Sequence, residues 1–257
     1  MRALIGSTGF VGSSLLRAGG YDAAYNSRNI DDIAGRDFDE IVCAGVSAVK
    51  WLANREPEAD RAAITRLTNA LKQANTTRFV LISTIDVYSD PAVDADEGQD
   101  LGRGPDHAYG RHRLTLEHWV AQRWTDHMIL RLPALFGPGL KKNVLYDLLH
   151  DNLVERIDPA AEFQWYPLER LPVDLTRATA AQLRVANLVT APLRTSMLVD
   201  HLFPAACVAA PGAAPARYRL RTRHAKIFGG AGPYLMQAEE VLRDIGRFVA
   251  GHVGTAA

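Results

Sequence analysis

Residues 1–16, "MRALIGSTGFVGSSLL", decide how the fold is read. A short apolar run, RALIG, ends in Gly6, and VGSSLLRAG continues with helical periodicity, so the stretch reads strand, turn, helix. Gly6, Gly9 and Gly12 form a GxxGxxG pattern across the turn. Glycine there lets the backbone turn tightly and approach a pyrophosphate, while the N–H groups that open the helix attract its charge. A tight packing turn with no ligand fits the same spacing, and a signal peptide is a third reading. The regular glycine interval favours a turn inside the folded protein.

The pattern repeats downstream. YDAAYNS reads as a second strand, DEIVCAG as a buried parallel strand, EPEADRAAITRLTNALKQA as an amphipathic helix with an acidic start, and RFVLIST as a strand. YGRHRLTLEHWVAQRW follows as a helix and HMILRLPALFG as a strand. Strand and helix alternating over the first 140 residues predict an α/β fold, a doubly wound Rossmann-type parallel sheet. Beyond FGPGLKKN the alternation loosens. VLYDLLHDNL, VDLTRATAAQLRVAN, TSMLVDHLF and MQAEEVLRDIGRFVAGHV read as helices between the strand-like pieces FQWYPL and ANLVT. Residues 1–140 are therefore expected to form the dinucleotide-binding core, and 141–257 a smaller substrate-binding lobe partly interleaved with it.

Composition narrows the function. Of the 257 residues, 47% are hydrophobic and 23% charged, as in a soluble globular protein. Lys and Arg (29) balance Asp and Glu (29), so no basic field recruits nucleic acid or anionic lipid, and no apolar run approaches the roughly 20 residues of a membrane span. A small-molecule partner is expected. Cys43 and Cys207 make neither a disulfide framework nor a zinc site; no metal site is expected, and a reduced cytoplasm suits them.

At the end of the second strand, a carboxylate would hold the adenosine ribose hydroxyls of NAD and repel a 2′-phosphate. The chain has Asn26, Ser27 and Arg28, and a guanidinium there matches the phosphate of NADP. The other reading leaves Arg28 in solvent and gives the ribose of NAD to Asp31 or Asp32. Ser83 and Thr84 fall at the C-terminal end of a central strand, the edge where ligands bind in open α/β sheets. In AYGRHRLTLE, Tyr109 and Arg113 are four apart and share a helix face.

In this order, GSTGFVG, CAGVSAV, STIDVY, YGRHR, LRLPALFGPGLKKN and KIFGGAGPYLMQAEEVLRDI resemble the extended short-chain dehydrogenase/reductases, the NAD(P)-dependent epimerase/dehydratase group that acts mainly on nucleotide sugars. DEIVCAG through NREPEAD looks particularly like the dTDP-4-dehydrorhamnose reductase type. The resemblance implies a cofactor set of Gly6, Thr8, Gly9, Phe10, Val11 and Gly12 in the turn, Asn26, Ser27 and Arg28 after the second strand, Ala44, Gly45 and Val46 after the third, and Ser83 and Pro133. It also implies that Thr84 hydrogen-bonds the reacting oxygen and that Tyr109 is the general acid/base. Asn143 is the substrate-binding candidate it implies, and homodimers paired through helices are common in the group; from their positions, Asp86, Tyr88 and Arg217 are further substrate candidates, Tyr88 equally as a packing aromatic.

The chain departs from the family at one catalytic position: the family has YxxxK, and here the fourth residue on is Arg113. A base near neutral pH needs the phenol to titrate about three pH units lower, or roughly 4 kcal/mol in favour of the phenolate. A cation about 5 Å away at an effective dielectric of about 20 contributes roughly 3 kcal/mol. Arg113 is thus expected to supply most of the fall and to hold ribose hydroxyls, but it cannot release a proton. The competing reading makes Arg113 a helix-surface residue paired with Glu117, and the protein a catalytically degenerate dinucleotide-binding sensor or scaffold.

For the substrate, Lys141 and Lys142 add charge beside Asn143, where relatives bind a diphosphate. ARYRLRTRH puts Arg217, Arg219, Arg221 and Arg223 on one side of an extended segment, either as a phosphate clamp or as a charged edge. Lys50 and Trp51 are read as bordering the pocket, and Gln164, Trp165 and Tyr166 as stacking on a base or sugar or as packing. The expected enzyme reduces or epimerises a nucleotide-linked sugar with NADP, or alternatively NAD.

Overall fold

The computed structural model describes residues 1–253. In chain order the elements are β1 (Arg2–Ile5), α1 (Phe10–Ala18), β2 (Ala23–Tyr25), β3 (Asp37–Cys43), α2 (Lys50–Arg55), α3 (Pro57–Leu71), β4 (Asn75–Thr84), α4 (Ala108–Arg123), β5 (His127–Leu132) and β6 (Ala134–Phe136). They continue with α5 (Val144–Leu149), β7 (Glu162–Phe163), β8 (Trp165–Pro167), α6 (Leu171–Ala180), β9 (Val185–Asn187), β10 (Leu193–Arg194), α7 (Thr195–Leu202) and α8 (Ala238–Val253).

Two compact units result, and the chain passes between them more than once. The first comprises Met1–Asp90, Asp100–Arg131 and Leu175–Ala186; the second comprises Pro91–Gln99, Leu132–Asp174 and 187–257. The expected division at residue 140 therefore becomes a boundary after Arg131, with 91–99 in the second unit and 175–186 in the first.

The first unit is built on a six-stranded sheet of order β2-β1-β3-β4-β5-β9, in which β1 pairs in parallel with β2 and β3, and β3 with β4. The chain leaves β1 for one side and returns on the other, so the switch point lies between β1 and β3, where open α/β sheets bind ligands. The strands are apolar on both faces, as a covered parallel sheet requires. Ala3, Ile5, Ile41, Cys43, Phe79 and Leu81 pack with Leu71 of α3 and with Leu116, Val120 and Trp124 from α4 and its end, while Leu4, Val42, Val80 and Leu130 are fully buried. Phe79 stacks on Trp124 at 4.0 Å between centroids. Burial pushes the Cys43 thiol up to about 11, while Cys207 is exposed; both are free.

HMILRLPALFG is two strands rather than one. β5 ends at Leu132 in the large sheet, and β6 pairs in parallel with β8 in a separate two-stranded sheet. Pro133, which lacks an N–H for a ladder, marks the break. VDLTRATAAQLRVAN likewise divides, into α6 and β9. In the second unit β7 pairs antiparallel with β10. Gln164, Trp165 and Tyr166 are buried: Gln164 Nε2 donates to the carbonyls of Thr190 and Leu220, both at 2.7 Å, and the Tyr166 hydroxyl donates to Asp174 at 2.8 Å. These residues pack the unit's interior, so the stacking role is corrected.

Candidate active site

The glycine turn forms at the switch point. The Gly6 and Ser7 N–H groups both donate to the Tyr25 carbonyl, tying the turn to β2. Gly6 has φ +84°, and a Cβ there would lie 2.3 Å from the Ala44 oxygen; one on Gly12 would lie 2.0 Å from the Gly6 oxygen. The turns after β1 and β3 touch backbone to backbone, and any side chain would separate them. A Cβ on Gly9 would meet only the Gly6 oxygen, at 3.3 Å. Helix α1 opens at Gly9 with neither a side-chain cap nor an acidic residue in its first turn, leaving its N–H groups and dipole for an anion. These features fit a dinucleotide pyrophosphate carried by Gly6, Thr8, Gly9, Phe10, Val11 and Gly12 beside Ala44, Gly45 and Val46.

After β2, the amides fold the loop. Asn26 Oδ1 accepts from the Arg28 N–H at 2.9 Å, and Asn29 Oδ1 from the Asn26 N–H at 2.7 Å. Asp31 is paired with Arg66. Arg28 is exposed and makes no ion pair among the described residues.

Thr84, Tyr109 and Arg113 come together at the C-terminal edge of β4. Helix α4 starts at Ala108, where His107 Nδ1 accepts from the Gly110 N–H at 3.0 Å and Asn54 Oδ1 from the Tyr109 N–H at 2.9 Å. Gly110 allows the approach, because a Cβ there would lie 2.2 Å from the Asp86 carbonyl oxygen. Tyr109 is 6% exposed, and the nearby Thr84 hydroxyl pulls its pKa downward, against the larger effect of burial. The Arg113 guanidinium lies over its ring, with Cζ 3.8 Å from the centroid.

Arg113 is 4% exposed and belongs to a fork that the sequence did not announce. It donates to both oxygens of Asp60, at 2.6 and 2.8 Å, to the Ser47 carbonyl at 2.6 Å and to the Tyr109 carbonyl at 3.0 Å. His112 Nδ1 lies 2.8 Å from the same carboxylate. Burial works against the Asp60 charge, but the bonds from Arg113 and His112 prevail and hold the carboxyl below the usual range. Two expectations are thereby corrected. Arg113 does not pair with Glu117, which instead binds Arg131 at 2.6 Å. Nor does Arg113 bring the phenol toward neutrality: burial raises the Tyr109 pKa above its ordinary value, outweighing the downward pull of a guanidinium that already carries a counter-charge.

The remaining candidates fall around this group or apart from it. Asp86 is bound to Lys50, Nζ to Oδ1, at 2.5 Å. The Ser83 hydroxyl donates to Glu117. Tyr88 is buried and its hydroxyl accepts from Arg131 at 3.1 Å, so it belongs to the core rather than to a substrate surface. Trp51 is exposed beneath Arg55. Pro133, Asn143 and Arg217 lie in the second unit. There the Asn143 amide caps α5, accepting from the Tyr146 N–H and donating to the Leu135 carbonyl. Of the arginine run, Arg219 pairs with Glu162, Arg221 with Asp94 and Arg223 with Asp96, which favours the charged edge over the four-fold clamp and leaves Arg217 as the run's one member with no ion pair among the described residues. Asn54, Asp60 and His107 escaped the sequence reading; only Asp60, an acidic residue in the first turn of α3, carried any signal.

The sequence profile of the NAD dependent epimerase/dehydratase family matches residues 22–158. The chain belongs to this family. Its fold is shared by UDP-glucose 4-epimerase from Thermotoga maritima, solved with UDP-glucose, at 16% identity, TM-score 0.73 and complete coverage of both chains. RMD from Pseudomonas aeruginosa complexed with NADPH aligns at 19% identity and TM-score 0.71, covering 97% of this chain and 99% of that one. The dTDP-4-dehydrorhamnose reductase from Yersinia enterocolitica aligns at 14% and 0.73, covering 98% and 99%. No curated protein sequence matches this family member. Among its described residues no helix is long and apolar enough to cross a membrane, and no cluster suits a metal ion.

Proposed function

We propose that the protein is a cytoplasmic NAD(P)-dependent oxidoreductase of nucleotide-linked sugars, working at C4 of a 4-keto or 4-hydroxy hexose by reduction or epimerisation. The observation that carries this reading is Tyr109, 6% exposed with the Arg113 guanidinium over its ring, at the C-terminal end of the same parallel sheet whose first turn is the glycine turn. The bound dinucleotide supplies the hydride. In the reducing direction Tyr109 protonates the developing alkoxide and Thr84 orients it; a phenol whose pKa stands above its ordinary value is held in the proton-donating form. Arg113 fixes the ring that carries the hydroxyl. NADP is preferred to NAD because Arg28, exposed in the loop after β2, makes no ion pair among the described residues and its guanidinium suits a 2′-phosphate. Asp86 is the substrate contact of the first unit retained in this reading.

Incubation with a panel of nucleotide sugars and either cofactor tests the assignment. Tyr109→Phe is expected to abolish turnover while leaving cofactor affinity within about twofold, since a chemical role requires the hydroxyl only in the reaction. Unchanged turnover rejects Tyr109 as the acid. The second reading, a dinucleotide-binding sensor or scaffold, is favoured by the engagement of Arg113 with Asp60. Tight calorimetric binding of NADPH without conversion of any sugar selects it.

A further inference from the structure

Tyr109 has a second charged neighbourhood that its helix does not provide. Lys50 begins α2, and its Nζ lies 2.5 Å from Asp86 Oδ1; the other carboxylate oxygen lies 3.5 Å from Thr84 Oγ1, and the Thr84 hydroxyl is near enough to the Tyr109 phenol to lower its pKa. The Asp86 N–H also donates to Thr84 Oγ1, at 3.1 Å, which fixes the hydroxyl between the two acids. The chain of contacts runs from a buried phenol to an ammonium whose side chain is 39% exposed. Arg113 offers no such exit, because a guanidinium does not deprotonate in proteins and this one is 4% exposed.

We propose that Lys50, acting through Asp86 and Thr84, is the proton port of this site, connecting the Tyr109 hydroxyl to solvent where Arg113 cannot. The inference rests on the acid/base role of Tyr109 proposed above. After Tyr109 has given its proton away in the reducing direction, Thr84 passes its hydroxyl proton to the phenolate oxygen and takes one from the Asp86 carboxyl. Asp86 draws that proton from the Lys50 ammonium, its carboxyl turning between the two, and the neutral amine is recharged from water. Only O–H and N–H bonds break and form, and the sum is one proton moved from solvent to the phenol. Lys50 and Asp86 are positioning residues, since neither has to touch the substrate for this role. The other titratable groups facing the network are His107, Arg111 and Arg113, with Asp60 and His112 beyond the guanidinium.

Lys50→Arg and Lys50→Met separate charge from proton release. With a port, both lower kcat roughly ten- to hundredfold with KM for the cofactor unchanged, and small primary amines restore part of the Lys50→Met loss with a dependence on free-base concentration. Full turnover in Lys50→Arg overturns the proposal, since charge alone would then suffice. A second readout needs neither substrate nor cofactor: the Cζ resonance of 13C-labelled tyrosine, with Tyr109 assigned by its loss in Tyr109→Phe. Lys50→Met is expected to raise the phenol midpoint and Asp86→Asn to lower it; a midpoint unmoved in both breaks the link. Shifted midpoints in a protein that converts no nucleotide sugar would keep the coupling and reject the sugar-oxidoreductase reading.

Discussion

The buried arginines of the first unit and the exposed arginines of the second make the same kind of bond for different ends. Arg113 and Arg131 are 4% and 6% exposed, and each grips a carboxylate that is itself buried, Asp60 and Glu117. Arg219, Arg221 and Arg223 meet Glu162, Asp94 and Asp96 with side chains 44–59% exposed. In water the two charges of a pair are solvated whether or not they touch, so an exposed pair contributes little. Out of water each charge is costly by itself, so a buried pair holds its helix in one place. The difference teaches that the buried arginines of the first unit determine geometry, while those of the second unit settle the charge of an edge.

Breaking the buried pair has the largest expected effect. Asp60→Asn leaves the Arg113 cation buried without its counter-charge, and a loss of roughly 3–5 kcal/mol is expected in urea unfolding. Arg113→Lys sharpens the contrast. It restores the family's residue, yet an ammonium has three donors where Arg113 makes four bonds, so a loss of about 1–3 kcal/mol is expected. Stability equal to wild type would mean that the fork is incidental.

A third measurement reads the start of α4 by pH. Burial, followed by the nearby Lys50 charge, lowers the His107 pKa, and only the neutral ring accepts the Gly110 N–H. Because the folded value lies below the unfolded one, this cap contributes fully above about pH 6.5 and is lost as pH falls toward the folded value. About 1 kcal/mol is expected to disappear over that interval. His107→Asn, a cap that does not titrate, should flatten that part of the curve; an unchanged curve removes His107 as its source. Asp94→Asn, which breaks the exposed pair with Arg221, comes last, at less than about 1 kcal/mol and declining with added salt.

What the sequence disclosed followed sequence distance. Gly6, Gly9 and Gly12 were legible because a turn's backbone needs are local, and the strand ending at Thr84 because an apolar run announces itself. Asp60 was hidden, 53 residues from Arg113, since nothing in either segment states that α3 and α4 lie side by side. The arginine run was legible as an alternation but not in its outcome, because the carboxylates that neutralise it come from 94–96 and from β7. Pro133 was a visible break that the apolar run around it concealed. Lys50 was visible as a residue near the pocket, whereas its bond to Asp86 arises only when α2 meets the end of β4.

The two thiols give the protein a built-in gauge. Cys43, sealed in the sheet with its pKa near 11, is protected from a maleimide as long as β3 keeps its neighbours, whereas Cys207 reacts at once. After Cys207 is blocked, the slow labelling of Cys43 would time the opening of the sheet itself, and the slowing of that clock by added dinucleotide would weigh the cofactor's grip without any turnover.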